Sequence, residues 1–186
     1  MEVTSWGILL GLPGVVVIYF CAPSLLTVIY GARYVAAATP LAIASIVVFL
    51  NVLNALITIV FTGMGLPALH RRAVAASAVV MLIAIYPACK FFGVAGGQVA
   101  ALLAIIVSYT FQVMRMRALT GLDLLRYGKA FVPAALVSGG IACIGFSGRF
   151  LGLEPRPVAN IALGVGACVI AYALCVPAFL KIKQTA

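Results

Sequence analysis

Pro23-Ser24-Leu25-Leu26-Thr27-Val28-Ile29-Tyr30-Gly31-Ala32-Arg33-Tyr34 ends one long apolar run and precedes a second that begins near Ala36. The runs on either side are too long and too uncharged to be ordinary core helices. Tyr30–Tyr34 therefore reads as a tight turn at a membrane surface. Tyrosine rings there sit in lipid with their hydroxyls in water, while Arg33 reaches the headgroups. Gly31 supplies a position free to take a positive φ once the helix has ended.

Composition points the same way. The chain has 186 residues, 66% hydrophobic and 8% charged, and its mean hydropathy is +1.27. Soluble domains average about 25% charged residues. So apolar a chain lacks the polar surface to cover a globule in water, and lipid as solvent removes the contradiction. The formal net charge is +9, from 12 basic and 3 acidic residues. The basic residues lie between apolar runs and not on a shared face with interleaved aromatics. They read as signals of orientation and of attraction to anionic lipid, and nucleic acid is not an expected partner.

The five cysteines, Cys21, Cys89, Cys143, Cys168 and Cys175, form no CxxC pair and lie in or beside apolar runs. They read as small buried hydrophobes, and with His70 the only histidine no metal site is expected. The start, Met1-Glu2-Val3, carries no positive charge, and Gly11, Pro13 and Gly14 break the first run. A retained helix is expected there, not a cleaved signal.

The expected fold is all-α: a polytopic bundle of six transmembrane helices in one domain, residues 1–186. The helices are placed at about 5–30, 36–62, 73–89, 94–114, 130–146 and 158–180, each near the roughly 20 residues that a span requires. Pro13 and Pro23 are expected to kink the first. Gly63-Met64-Gly65-Leu66-Pro67 breaks the chain after the second, and Ala68–Arg72 reads as a short basic loop. Lys90-Phe91-Phe92-Gly93 makes the next interfacial turn. Thr120-Gly121-Leu122-Asp123 resembles an N-terminal cap, and residues 115–129 read as a connection with a short amphipathic piece on the membrane.

Two helices carry polar stripes. In the second, Asn51, Asn54, Thr58 and Thr62 fall within about 80° at 100° per residue. In the fourth, Gln98, Ser108 and Gln112 again share a face. Each stripe has two readings: the lining of a hydrophilic cavity, or hydrogen bonds that tie helices together. The second is favoured, because such bonds are common in bundles.

Six spans put the N-terminus, the second and fourth loops and the tail on one side. That side carries Arg71, Arg72, Arg115, Arg117, Arg126, Lys129, Lys181 and Lys183, against Arg33, Lys90, Arg149 and Arg156 on the other: eight to four. The excess places both termini in the cytoplasm and the Tyr30–Tyr34 turn outside.

Pro23 to Tyr34, followed by Ala37-Ala38 and Pro40-Leu41, resembles the C-terminal part of bacterial polysaccharide flippases. These belong to the multidrug/oligosaccharidyl-lipid/polysaccharide exporter superfamily. The small-residue break at Gly63 and Gly65, the basic Arg71-Arg72 and the turn Phe92-Gly93-Val94-Ala95-Gly96-Gly97 are similar to that family's pattern. The resemblance spans roughly Leu25 to Gly97. It implies an inner-membrane protein that moves lipid-linked oligosaccharides between leaflets by alternating access of two lobes.

Members have twelve or fourteen helices, so the chain looks like the last six of a fourteen-helix member. Its expected partners are the bilayer, a lipid-linked oligosaccharide, and a missing N-terminal lobe or another membrane subunit; alone it is expected to be inactive. The alternatives are a non-transporting membrane subunit and part of a small-molecule exporter of the same superfamily.

On that reading the substrate-cavity candidates are Asn51, Asn54, Thr58, Gln98, Ser108 and Gln112. Arg71 and Arg72 are candidates for the phosphates of a lipid carrier, because guanidinium pairs well with phosphate oxygens. Their plainer reading is topology signalling and headgroup contact. No Asp or Glu falls inside a predicted helix, so a proton- or sodium-coupling carboxylate is not expected in this chain. No serine or cysteine has a base beside it, so neither catalysis nor a cofactor is expected.

Overall fold

In a computed structural model the chain is all-helical, and no strand occurs among the described residues, which are 2–121, 128, 131–150, 161–170 and 172–173. The helices are α1 (Glu2–Tyr30), α2 (Ala38–Gly63), α3 (Pro67–Phe92), α4 (Gly96–Thr120) and α5 (Phe131–Phe150). A further helical stretch covers Ile161–Ile170. Three stretches are long and apolar enough to cross a bilayer: Trp6–Tyr30, Ala32–Gly63 and Pro67–Thr120. The third is folded back on itself at Gly93, so it consists of α3 and α4. These lengths point to membrane association.

Glycines set the corners. Gly31 follows α1 with φ 92°, Gly65 sits between α2 and α3 with φ 73°, Gly93 follows α3 with φ 56°, and Gly121 follows α4 with φ 64°. A side chain at any of these would meet its own backbone. After Gly31 the chain makes a 3₁₀ segment, Ala32–Ala37, and then enters α2. Tyr30, Arg33 and Tyr34 are exposed there. The Arg33 guanidinium lies 4.9 Å from the centre of the Tyr34 ring.

Several boundaries differ from the sequence reading, each for a local reason. The basic segment Ala68–Arg72 is not a loop but the first turn and a half of α3, because Pro67 stands at the first helical position, where its fixed φ and missing N–H cost nothing. Arg115–Thr120 is likewise helical, closing α4. Thr120 is not an N-cap. Its hydroxyl donates to the Met116 carbonyl at 2.8 Å, and Gly121 caps the helix end in the left-handed conformation. The proposed amphipathic piece after Gly121 and the turn after Phe150 lie outside the described residues, as do both ends of the expected sixth span.

Close approach depends on small residues. α1 runs antiparallel to α2, with Gly11 against the Phe49 ring and Gly7 against Leu56. Ile8, Leu9, Phe49, Leu53 and Ala134 form the buried cluster where α1, α2 and α5 meet. α5 presents Ala134, Val137, Ser138 and Ile141 inward, at helical spacing. α3 and α4 form an antiparallel hairpin in which Gly96 lies against the Ala88 carbonyl. Meanwhile Leu82, Ile83, Tyr86, Phe91 and Val94 are fully outward. Water would penalise so large an apolar exterior, whereas hydrocarbon does not.

The hairpin gives a direct test. A Cβ built at Gly96 would lie 2.4 Å from the Ala88 carbonyl oxygen, whereas one at Gly97 would meet nothing within 4 Å. Gly96→Ala is expected to destabilise the protein by about 1–3 kcal/mol through overpacking, and Gly97→Ala to leave it unharmed. Thermal unfolding of the purified variants in detergent measures the difference.

Candidate functional site

The most ordered polar chemistry lies where α2, α3 and α4 meet. Asn54, Ser108 and Gln112 are buried, Gln112 completely. The Asn54 Nδ2 donates to Ser108 Oγ at 3.2 Å. One turn along, Thr58 Oγ1 lies 3.4 Å from Gln112 Oε1 and 2.9 Å from His70 Nδ1. Gln112 Nε2 lies 3.3 Å from the same His70 nitrogen. Thr58, His70 and Gln112 therefore close a triangle, one corner from each helix.

The geometry follows from helix direction. Asn54 to Ser108 and Thr58 to Gln112 are both separated by 54 positions. α2 and α4 are thus parallel and in constant register, and α3 returns between them. Residues i and i+4 on each helix face the same neighbour, so one turn supplies the amide–hydroxyl pair and the next the triangle.

The hydroxyl proton of Thr58 cannot serve every neighbour. The Asn54 carbonyl lies 2.9 Å from it. If the proton goes there, Thr58 accepts from His70 Nδ1–H, and the Gln112 amide must turn its oxygen to the ring. If instead Nδ1 is unprotonated, it accepts from the Thr58 hydroxyl at 2.9 Å and is shared by Gln112 Nε2–H at 3.3 Å. The Asn54 Oδ1 is buried and has no partner among the described residues.

The candidate residues from the sequence separate into groups. Asn54, Thr58, Ser108 and Gln112 come together. Asn51 does not join them: it is exposed, and its Nδ2 donates to the Val47 carbonyl of its own helix at 3.0 Å. Gln98 is half-buried near the start of α4, far along the helix from Ser108. Thr62 is exposed and bonds back to the Thr58 carbonyl. Arg71 and Arg72 are exposed. They lie at the end of α3 that the antiparallel hairpin places beside Arg115 and Arg117 of α4. The Arg115 guanidinium stacks over Phe111 at 5.4 Å.

His70 joins the site although the sequence reading places it in a loop beside Arg71 and Arg72 and gives it no role. The signal that could have found it is Pro67, which as a first helical residue places His70 on the opening turn of α3.

No cluster of three or more metal-binding side chains occurs among the described residues. What the arrangement can do chemically is hold protons and orient amides, with the Thr58 hydroxyl 2.9 Å from the His70 imidazole. Comparison with known protein families, curated proteins and solved structures finds no match to this chain.

Gln112→Leu is expected to strip both Thr58 and His70 of their α4 partner and to lower unfolding free energy by about 1–2 kcal/mol. A double-mutant cycle of Asn54→Leu with Ser108→Ala should give a coupling of about 0.6 kcal/mol, typical of buried bonds between membrane helices. Equilibrium unfolding in mixed micelles reads both.

Proposed function

We propose that this chain is a multi-pass inner-membrane protein of polysaccharide biosynthesis, the C-terminal lobe of a flippase for lipid-linked oligosaccharides. On this reading it has six spans, both termini lie in the cytoplasm, and the Tyr30–Tyr34 turn faces out. The observation that carries the reading is the stretch Pro23–Tyr34, with Gly31 at the corner and the exposed Tyr30, Arg33 and Tyr34 around it.

The distribution of basic residues supports the orientation. Arg71, Arg72, Arg115 and Arg117 collect at one end of the α2–α3–α4 unit, and Arg33 and Lys90 at the other. Four against two favours the arginine-rich end as cytoplasmic. There Arg71 and Arg72 are free to meet the phosphates of a lipid carrier, with α3's own N-terminus adding partial positive charge.

A second reading is favoured by one specific observation. Asn54 bonds Ser108, and Thr58 and Gln112 bond each other and His70, all across helix boundaries. Side chains so occupied are better suited to tying helices together than to lining a sugar-binding cavity. That agrees with a membrane subunit that stabilises a partner without transporting anything itself.

Binding separates the two. In native mass spectrometry from micelles, the flippase lobe should retain a polyprenyl-diphosphate oligosaccharide in preference to phosphatidylglycerol. Arg71→Gln with Arg72→Gln should reduce that retention about tenfold, the loss of roughly 1.4 kcal/mol. Equal retention of both lipids would favour the non-transporting subunit. Orientation has its own check: a cysteine placed at Ala32 in a cysteine-free chain should react with an impermeant reagent added outside intact cells.

A further inference from the structure

Among the described residues Asn51 has one hydrogen-bond partner, the Val47 carbonyl of its own helix. It stands midway along α2, about 19 Å from either end at 1.5 Å per residue, and therefore near the bilayer centre. It is exposed there, and its one hydrogen bond runs to the Val47 carbonyl, leaving the carboxamide oxygen and one N–H unused. An amide in that position is costly, because hydrocarbon offers neither donor nor acceptor.

The surroundings are shaped for another helix. Val48, Val52, Ala55 and Ile59 are all exposed and follow one another by four, three and four residues, the spacing of a heptad seam. Asn51 borders this stripe on the side that faces α3. There α2 and α3 diverge over α4, leaving a lateral cleft of about 310 Å³ lined by Val47, Asn51, Ser77, Ala78 and Met81. Small Ser77 and Ala78 let a neighbouring backbone come close, and Met81 can adapt to what arrives.

We infer that two copies of this chain associate side by side in the membrane, α2 against α2 at the α2–α3 cleft, with the two Asn51 carboxamides bonded to each other. The choice of a second copy rests on complementarity and depth. A carboxamide is both donor and acceptor, so it is its own partner. A copy inserted with the same orientation brings its Asn51 to the same level without further adjustment, and a two-fold axis along the membrane normal makes both bonds at once. A lipid tail would fill the cleft but leave the amide unsatisfied.

The test uses the full chain in liposomes, with a fluorescent tag on its C-terminus and counted by single-molecule photobleaching over a range of protein densities. Wild type should bleach in two steps. Asn51→Leu should need about tenfold higher density to reach the same dimer fraction, and Asn51→Gln should restore most of it. In a chain with the native cysteines replaced, Ala55→Cys should cross-link between copies on oxidation, whereas Ile83→Cys, exposed on the far side of α3, should not. Single-step bleaching of wild type at every density would overturn the proposal, as would a dimer indifferent to Asn51→Leu. Cross-linking at position 83 equal to that at 55 would show random collision and overturn it too. A wild-type monomer holding a tightly bound lipid or a different protein would do the same.

Discussion

A hydrogen-bonding side chain inside hydrocarbon has no solvent to fall back on, and the α2–α3–α4 unit is arranged around that constraint. Asn54 with Ser108, and Thr58 with His70 and Gln112, are the bonds that answer it, with the Asn54 Oδ1 left over among the described residues. Water would let any of these groups exchange a protein partner for a solvent one at little net cost. In lipid the alternative is an unsatisfied amide, so the pairs act on geometry more than on stability. Sliding α4 by one residue along α2 would move Ser108 and Gln112 by about 1.5 Å and turn them by about 100° away from their partners. Apolar packing alone tolerates such slips. The polar pairs are what make one register distinct.

Small residues complete what the polar pairs begin. Helices in lipid gain little by hiding apolar surface from a medium that is itself apolar, so close van der Waals contact must supply attraction. Gly7 and Gly11 let α2 approach α1, Gly96 lets α4 begin against the last turn of α3, and Gly164 receives Cys21 and Val17. Pro13 works in the same region by a different route. Its ring removes a backbone donor from α1, and the nearby Leu10 carbonyl accepts a hydrogen bond from the Tyr172 hydroxyl.

Much of this was legible in the sequence, and the failures have physical causes. Turns were readable because glycine and proline act locally: Gly31, Gly65 and Gly93 all take the positive φ that ends a helix. The pairing of Asn54 and Thr58 with Ser108 and Gln112 was half-readable. Periodicity put each set on a stripe, and the favoured reading of the stripes as ties between helices agrees with the bonds between them. Periodicity could not separate Asn51 from Asn54, which are less than one turn apart, because an 80° stripe is wider than the contact between two helices. Helix ends were the weakest point. A window of apolar residues fades gradually into Arg71-Arg72 or Arg115–Thr120, whereas the helix continues until a backbone requirement stops it. His70 was lost for this reason.

The polar residues of α2 also form a gradient. From the arginine-rich end inward they run Thr62, Thr58, Asn54, Asn51, each about one turn deeper than the last. Thr62 is exposed near that end, Thr58 is tied to His70 at the opening turn of α3, Asn54 is buried against Ser108, and Asn51 emerges at the centre. Beyond it toward Ala38 the remaining hydroxyl of the helix body, Ser45, bonds back to the Ala42 carbonyl of its own helix. The polar path thus enters from one face and stops halfway. Arg71, Arg72, Arg115 and Arg117 share the mouth of that path without a carboxylate on α2, α3 or α4 to neutralise them. Four like charges at a helix-bundle end are tolerable only in contact with water and anionic headgroups. That end must therefore lie at the interface, which in turn sets Asn51 about three helical turns deeper.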